Sequence, residues 1–205
     1  MLDRYNRRID YLRISITDRC NLSCSYCRPD ACSPKLAHND ILTYEEILRL
    51  VTIGIRLGIS KVRVTGGEPL VRKGVLKFLA RLATVSGIAD LSLTTNGVLL
   101  QQTLARLKSS GVSRLNISLD TLDPEIYYQM TGHDVFEQVW SGILAAHRMG
   151  FSPLKLNAVA VRNTNEAGLI DLARLTLTYP FHVRFIEQMP FGMASPSVAP
   201  PLLTE

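Results

Sequence analysis

The sequence predicts an α/β fold, an open partial barrel of six strand–helix units, written (β/α)6. Six short strand-like runs alternate with helix-like segments, which favours a parallel sheet over a sandwich or a helical bundle. The chain has 205 residues. A closed (β/α)8 barrel needs about 250 residues, or about 31 for each unit, so this length has room for about six units. The third observation is a regular alternation of polar and apolar residues along the strand-like runs.

The predicted strands are spread evenly along the chain, and the first helix-like segment lies between the first two of them. The strands are expected at residues 11–17, 61–65, 91–94, 114–119, 154–161 and 182–186. Residues 43–57 predict a helix, because Ile47 and Val51 fall on one helical face. Thr43 and Glu46 form a capping-box pattern at the start of this helix.

Two later helices also have start signals. Asp123 offers an N-cap and Pro124 a first helical residue, and the segment they open runs with interruptions to Met149. Asn165 is expected to begin the last helix, which continues towards Tyr179. Helix-forming sequence thus lies between the predicted strands, as a parallel sheet with crossover helices requires.

The alternation along the strands separates an apolar face from a polar one. In a parallel sheet wrapped by helices, the apolar face must meet the helices, so the polar face is expected to line a wet, concave interior. An antiparallel sheet with one solvent face is the alternative reading. The cations Arg13, Arg63 and Lys155 on the polar face suit an anionic ligand. The polar face comprises Arg13, Ser15, Thr17, Arg63, Thr65, Ser92, Thr94, Asn116, Ser118, Asp120, Lys155 and Asn157.

Composition and charge restrict the class of protein. The net charge is +5, but Lys and Arg are scattered among acids and aromatic residues make up only 7%, which weighs against a nucleic-acid partner. No apolar run approaches the roughly 20 residues that span a bilayer, so no membrane association is expected. The charged N-terminus lacks the apolar core of a signal peptide. We therefore expect a cytoplasmic protein whose thiols are reduced or bound to metal.

Three cysteines lie within eight residues, directly after the first predicted strand. Cys20, Cys24 and Cys27 have the spacing CxxxCxxC, so a short loop can wrap all three sulfurs around one metal centre. The favoured interpretation is a [4Fe–4S] cluster with three thiolates and one open iron. The alternatives are a zinc site completed by His38, a closed four-thiolate cluster that uses Cys32, and free structural cysteines.

The cysteine spacing and a glycine-rich string after the second strand resemble the radical S-adenosylmethionine (SAM) superfamily. That string is Gly66-Gly67-Glu68-Pro69, in which the glycines let the backbone approach the amino group of the SAM methionine moiety. The resemblance implies a partial (β/α)6 TIM-like barrel of the radical SAM type. It also implies a [4Fe–4S] cluster and SAM as cofactors.

Further strings, at residues 11–20, 93–97, 116–120 and 184–189, resemble the GTP 3′,8-cyclase family of molybdenum cofactor biosynthesis. The resemblance extends over about residues 11–191. It implies a lyase that converts GTP to (8S)-3′,8-cyclo-7,8-dihydroguanosine 5′-triphosphate, the first step of that pathway. In this chemistry an electron from the cluster cleaves SAM, and the resulting 5′-deoxyadenosyl radical abstracts the ribose C3′ hydrogen. The C3′ radical then attacks C8 of guanine. A flavodoxin-like or similar reductant and a homodimer are compatible with the resemblance.

The resemblance also implies roles for individual residues of this chain. The expected cluster ligands are Cys20, Cys24 and Cys27. The expected SAM contacts are Tyr26, Gly67, Ser118 and Met189. The expected GTP contacts are Arg13, Arg63, Thr94 and Lys155, all on the predicted polar face. No role is assigned to Cys32.

The sequence departs from this family after the sixth strand, where the family carries three more cysteines that hold a second [4Fe–4S] cluster. This sequence has no cysteine after Cys32. We therefore expect an arm at residues 1–10, the partial barrel at 11–189 and a proline-rich, disordered tail at 190–205, truncated before the second cluster region. The alternative functions are an incomplete form that binds only the cluster and SAM, a different radical SAM enzyme, and a non-catalytic remnant.

Overall fold

The computed structural model describes residues 2–27 and 35–189 and contains a single parallel sheet of six strands. The strands are β1 (Tyr11–Ser15), β2 (Lys61–Thr65), β3 (Asp90–Thr95), β4 (Arg114–Ser118), β5 (Leu154–Ala160) and β6 (Phe181–Glu187). Their order in the sheet is their order in the chain, and every pair of neighbours is parallel. The predicted α/β fold with six units is confirmed, and the antiparallel alternative is wrong.

Six α-helices connect the strands. They are α1 (Tyr44–Arg56), α2 (Val75–Ala83), α3 (Leu100–Ser109), α4 (Pro124–Thr131), α5 (Phe136–Arg148) and α6 (Leu169–Thr178). The capping box of α1 is present, with Glu46 N donating to Thr43 Oγ1 at 3.2 Å and Thr43 N donating to Glu46 Oε2 at 2.7 Å. Asp123 caps α4, which begins at Pro124 as predicted.

The last helix begins later than the sequence predicts. Residues 166–168 form a 3-10 turn, and α6 starts only at Leu169. Asn165 does not cap a helix, because its side chain is fully buried and bonded elsewhere. Its Nδ2 donates to the carbonyl oxygens of Asp120 at 2.7 Å and Val159 at 2.8 Å, and its Oδ1 accepts from Val161 N at 2.8 Å. The side chain therefore braces the ends of two strands.

The apolar face of the sheet forms the core against the helices, as the alternation predicts. Val62, Val64, Leu93, Leu115 and Ile117 are completely buried. Their burial removes apolar side chains from water, worth about 1.5–3 kcal/mol for each large aliphatic residue. The matching side chains of β1 are only half-buried, since β1 lies at an edge of the sheet.

The opposite face carries the polar side chains, and we call it the lumen face. Parallel register brings them together in levels along the barrel axis. These levels are Arg13, Arg63, Ser92 and Arg114; then Thr94, Asn116, Lys155 and His182; then Ser118 with Asn157 and Arg184. Arg13, Arg63 and Arg114 thus share the first of these levels, Lys155 lies at the second, and Arg184 lies at the third.

Three sequence predictions concern parts of the chain that the structure does not describe. Cys32 and the tail at residues 190–205 lie outside the described residues, and so does the side chain of His38. In the part of the chain that is described, we find no helix both long enough and apolar enough to traverse a bilayer.

Candidate functional site

A cavity of about 230 Å³ opens at the carboxyl ends of the strands, where the loops after β1 and β2 meet the ends of β3, β4 and β5. This is the edge at which parallel α/β sheets commonly bind ligands. Eight of the eleven site residues expected from the sequence line the cavity. They are Arg13, Cys20, Cys24, Tyr26, Cys27, Gly67, Thr94 and Ser118.

The remaining three expected residues lie elsewhere. Arg63 and Lys155 are on the lumen face beneath the cavity, in register with Arg13 and Asn116 respectively. Met189 follows the end of β6 and is 52% exposed, and the structure does not bring it to the cavity lining.

The three thiols belong to one loop, residues 20–27, which we call the cysteine loop. Its backbone is attached to the end of α4, where Ser23 N donates to Thr131 O at 3.0 Å and Ser25 N donates to Met130 O at 2.9 Å. Two N–H groups point at the first sulfur, since Leu22 N lies 3.4 Å and Asn96 Nδ2 lies 3.7 Å from Cys20 Sγ. Both donors are placed to hydrogen-bond a sulfur that is coordinated to metal.

The glycine-rich string after β2 permits close approach to the start of the cysteine loop. Gly67 N donates to Thr17 O at 2.7 Å, and Glu68 N donates to Arg19 O at 2.8 Å. A Cβ on Gly67 would lie 2.5 Å from Arg19 O, and one on Gly66 would lie 2.8 Å from Thr17 O. Neither position tolerates a side chain without displacing backbone. The glycines here therefore serve packing between two loops as well as access to the cavity.

Glu68 links the same string to the end of β3 from a fully buried position. Its carboxylate accepts from Leu70 N at 2.9 Å, from Thr95 Oγ1 at 2.9 Å and from Asn96 N at 2.6 Å. Burial raises the pKa of Glu68, while these donors act to lower it. Since Asn96 also reaches Cys20, this carboxylate helps to orient a donor towards the first thiol.

The residues around the three thiols indicate which kind of metal centre the thiols fit. Among residues 2–27 and 35–189, no three His, Cys, Asp or Glu side chains are grouped as ligands of one metal ion. The thiols nevertheless share one loop and one cavity wall. Three thiols without a histidine or carboxylate grouped as a further ligand among the described residues are the donor type that holds iron–sulfur clusters. Burial raises the pKa of Cys24 to about 12, with Asp120 and the other two thiols contributing. Bound iron would reverse this effect, because a coordinating thiol is deprotonated.

The lumen face concentrates positive charge beneath the cavity. Burial lowers the pKa of Arg63, and the positive charges of Arg13, Arg184 and Arg114 act in the same direction. The pKa of Lys155 is lowered first by burial and then by Arg184, Arg114 and Arg63. The neighbouring arginines thus disfavour the charged forms of Arg63 and Lys155, so an anionic ligand would relieve this repulsion.

Unpaired atoms on the lumen face support the same interpretation. Among the described residues, Arg63 Nε and Thr94 Oγ1 are buried and have no hydrogen-bond partner. Unsatisfied buried donors are costly, at about 1–3 kcal/mol each, and commonly mark a place for a ligand or ion. Arg114 differs, since it forms an ion pair with Asp90.

Sequence reasoning did not assign Arg114 or Arg184 to the site. Both lie on the lumen face, Arg114 at the level of Ser92 and Arg184 at the level of Asn157. Arg114 lies two residues before Asn116 in β4, and Arg184 lies in β6. Continuing the polar alternation to these two positions would have found both residues. Asn96 and Val159 also line the cavity unpredicted. Asn96 follows β3, whereas Val159 lies in β5 two residues after Asn157, so the alternation could have found Val159.

The fold and the cysteine loop agree with the family to which the sequence belongs. Residues 14–176 match the radical SAM superfamily, and this is most of the chain, so the chain belongs to that superfamily. Among its curated relatives, the GTP 3′,8-cyclase of Geobacter sulfurreducens is 51% identical over 190 residues, which are 93% of this chain and 58% of that protein. The GTP 3′,8-cyclase of Heliobacterium modesticaldum is 50% identical over 192 residues, 94% of this chain and 59% of the relative. The chain thus spans a little under 60% of the length of these two relatives.

Solved structures confirm the fold. Methylornithine synthase superposes with a TM-score of 0.71 at 19% identity, covering 88% of this chain and 53% of the synthase chain. Streptococcus suis SuiB bound to S-adenosylmethionine superposes with a TM-score of 0.69 at 20% identity, covering 88% of this chain and 41% of SuiB. The six-unit barrel is therefore shared with proteins of very different sequence.

Proposed function

We propose that this chain binds a [4Fe–4S] cluster and SAM at its cavity and acts on GTP, as a GTP 3′,8-cyclase. One observation carries the proposal: a loop with three thiols forms the wall of a cavity directly above a group of mutually repelling cations. The thiols suit a cluster with one open iron, and the cations suit a triphosphate. The thiols and the cations share one polar lumen, since Arg13 lines the cavity and lies in register with Arg63.

The proposed residue roles follow from position. Cys20, Cys24 and Cys27 would hold the cluster, which when bound supplies the electron that cleaves the SAM sulfonium. Tyr26, Gly67 and Ser118 line the cavity where SAM would sit. Met189 is proposed as a further SAM contact from the resemblance alone.

The lumen residues would bind and orient GTP. Arg13 and Arg63 each offer a planar fork that can hold two phosphate oxygens, whereas Lys155 offers a point charge. Thr94 Oγ1, buried and unpaired among the described residues, can hydrogen-bond the sugar or the phosphate closest to it. Phosphate held at the depth of the cations leaves the ribose nearest the cavity, where the reaction at C3′ would take place.

Anaerobic reconstitution with iron and sulfide tests the proposal. We expect about four irons per chain, a brown chromophore, and 5′-deoxyadenosine formed on reduction in the presence of SAM. Cys24→Ser should abolish iron binding, and Cys32→Ser serves as the matched control that should retain it. Loss of iron in Cys32→Ser would instead favour the closed four-thiolate cluster. A wild-type chain that holds no iron would refute the proposal.

Cyclisation of GTP needs a separate measurement. The chain spans a little under 60% of the length of the two relatives described, so the cyclisation is proposed separately from SAM cleavage. The second candidate function is binding of the cluster and SAM without reaction of GTP. Calorimetric GTP binding together with a cyclic product supports the full activity, whereas SAM cleavage with neither supports the second candidate function.

The remaining conditions of the proposed reaction are proposals as well. The cluster would require a reductant of flavodoxin-like or similar type. Thiolates that bind iron persist in a reducing compartment, which agrees with the cytoplasmic location expected from the sequence. A homodimer is compatible with the proposed function and would be detected by the molar mass in solution.

A further inference from the structure

A buried carboxylate joins the cysteine loop to the sheet. Tyr26, between the second and third thiols, donates its hydroxyl to Asp120 Oδ2 at 2.7 Å. The other oxygen of the same carboxylate, Oδ1, accepts from Val159 N at 2.8 Å. Asp120 lies just beyond β4, is 4% exposed and forms part of the cavity wall. One side chain thus bonds the loop after β1 and strand β5 at the same time.

Hydrogen bonds from the Asn165 side chain also fix the backbone of Asp120. The Asn165 side chain donates to the carbonyl oxygens of Asp120 and Val159 and accepts from Val161 N. Asn165 is fully buried, so the amide atoms that form these three bonds are shielded from water. A buried network with all its members bonded is rigid and specifies one arrangement. Asp120 therefore has little freedom to move when the loop moves.

The Tyr26 bond has a different role from the other attachments of the cysteine loop. Backbone bonds from Ser23 and Ser25 fix the loop to the end of α4. Asn96 reaches only its beginning, at Cys20 and Asn21. The hydroxyl of Tyr26 ties the second half of the loop, which carries Cys24 and Cys27, to Asp120 just beyond β4.

We propose that Asp120 is a positioning residue that sets the distance between the cysteine loop and the SAM side of the cavity by holding Tyr26. This inference rests on the proposed function. A charge-assisted O–H···O⁻ bond is short and directional, and it is about twice as strong as a bond between neutral groups. Asp120 does not need to touch SAM for this role, because it acts through Tyr26.

The test measures SAM binding by equilibrium dialysis on reconstituted protein, with Tyr26→Phe, Asp120→Asn and the double variant. Tyr26→Phe deletes one hydroxyl and keeps the ring, and we expect SAM affinity to fall about tenfold. Asp120→Asn keeps an acceptor for Val159 N but removes the charge, so we expect a loss of a few fold. The double variant should lose no more than Tyr26→Phe, because both changes act on one bond.

A readout without cofactor accompanies this measurement. Hydrogen–deuterium exchange of residues 20–27 in the cluster-free protein should be faster in both single variants, while exchange in α1 stays unchanged. Tyr44→Phe is the matched control, since Tyr44 also donates one hydroxyl bond, to Lys73 O at 3.2 Å, away from the cavity. It should alter neither SAM affinity nor exchange of the cysteine loop.

The possible outcomes distinguish the positioning role of Asp120 from the proposed function. Additive losses in the double variant, or wild-type SAM affinity in both single variants, would overturn the positioning role and leave the proposed function intact. A wild-type protein that binds neither cluster nor SAM would overturn the proposed function and this inference with it. Non-additive loss together with faster loop exchange supports the inference.

Discussion

A single methyl group added at position 67 is expected to disrupt the start of the cysteine loop. Gly67→Ala would place Cβ 2.5 Å from Arg19 O, and backbone cannot yield there as a flexible side chain can. We expect a loss of about 1–3 kcal/mol in the free energy of unfolding, as for other overpacked sites. The reconstituted variant should also hold less iron, because the displaced backbone leads directly into Cys20.

Gly54→Ala is the control for this substitution. Gly54 lies inside α1, and its added Cβ would be at an ordinary 3.4 Å from Ile59 Cγ1. Alanine is favoured over glycine in a helix by about 1 kcal/mol, so this variant should be as stable as the wild type or more stable. Urea unfolding of both variants measures the difference. Equal stability of the two would contradict the close approach seen at Gly67.

Lys155 is expected to lower the stability of the fold and to raise the affinity for an anionic ligand. Its pKa is lowered from an ordinary value of 10.5 by burial and then by the neighbouring arginines, so folding disfavours its charged form. The unfolded chain therefore binds more protons just below pH 10.5, and stability should rise with pH in that window. Lys155→Met should flatten this rise and increase the urea midpoint at pH 7, while lowering GTP affinity about tenfold through loss of a charge-assisted contact.

Lys77→Met, on the exposed surface of α2, provides the comparison for Lys155→Met. It should change neither the pH dependence of stability nor the calorimetric affinity for GTP. If Lys155→Met were less stable than the wild type at pH 7, the repulsion inferred on the lumen face would be wrong.

The sequence could identify the faces of the sheet at this scale, but not the bonds between side chains. Alternation alone placed Arg13, Arg63 and Lys155 on one polar face, which the register of the strands confirms. The roles of Glu68 and Asn165 were not predictable in this way. Glu68 bonds Asn96 and Asn165 bonds the Asp120 carbonyl, both distant in sequence, and no local periodicity records which buried oxygen meets which N–H.

At the scale of single elements, the capping box of α1 makes a measurable contribution. Thr43→Ala removes the side chain that accepts from Glu46 N, and we expect a loss of about 1 kcal/mol in the free energy of unfolding. Thr84→Ala is the comparison, because the Thr84 hydroxyl only donates to Arg81 O at the other end of a helix. Urea unfolding should show a clearly larger loss for Thr43→Ala, and equal losses would argue against the cap.

Element positions followed from the sequence wherever a local signal decides them. The cap at Thr43 and the proline at position 124 fixed two helix starts, because capping and φ restriction act within a few residues. The start of α6 did not follow, since the Asn165 side chain is occupied by the strand ends instead of a helix. Tertiary bonds outweighed the local preference there.

At the scale of the whole molecule, ligand binding should stabilise the fold. The cations of the lumen face repel one another, so a polyanion that binds only the folded state raises stability by mass action. We expect inorganic tripolyphosphate at about 100 times its Kd to add about 2.7 kcal/mol. The cluster-free protein is sufficient for this thermal-unfolding measurement.

An Arg63→Met and Lys155→Met double variant tests whether the stabilisation arises at the lumen face. Its melting temperature should respond to tripolyphosphate far less than that of the wild type. An Arg49→Met and Lys77→Met pair, on α1 and α2, should respond as the wild type does. An undiminished response in the first pair would place the anion elsewhere on this basic protein.

The sheet of this molecule has two margins instead of closing on itself. Within the described residues, β6 is hydrogen-bonded on one side only, to β5, and its Phe185 and Ile186 are 41% and 36% exposed. A long, partly apolar edge offers unpaired backbone groups to any other extended chain. Strand addition along β6 is therefore expected wherever this edge is left uncovered. The same opening gives access to the lumen, so both access and solubility depend on what lies against β6.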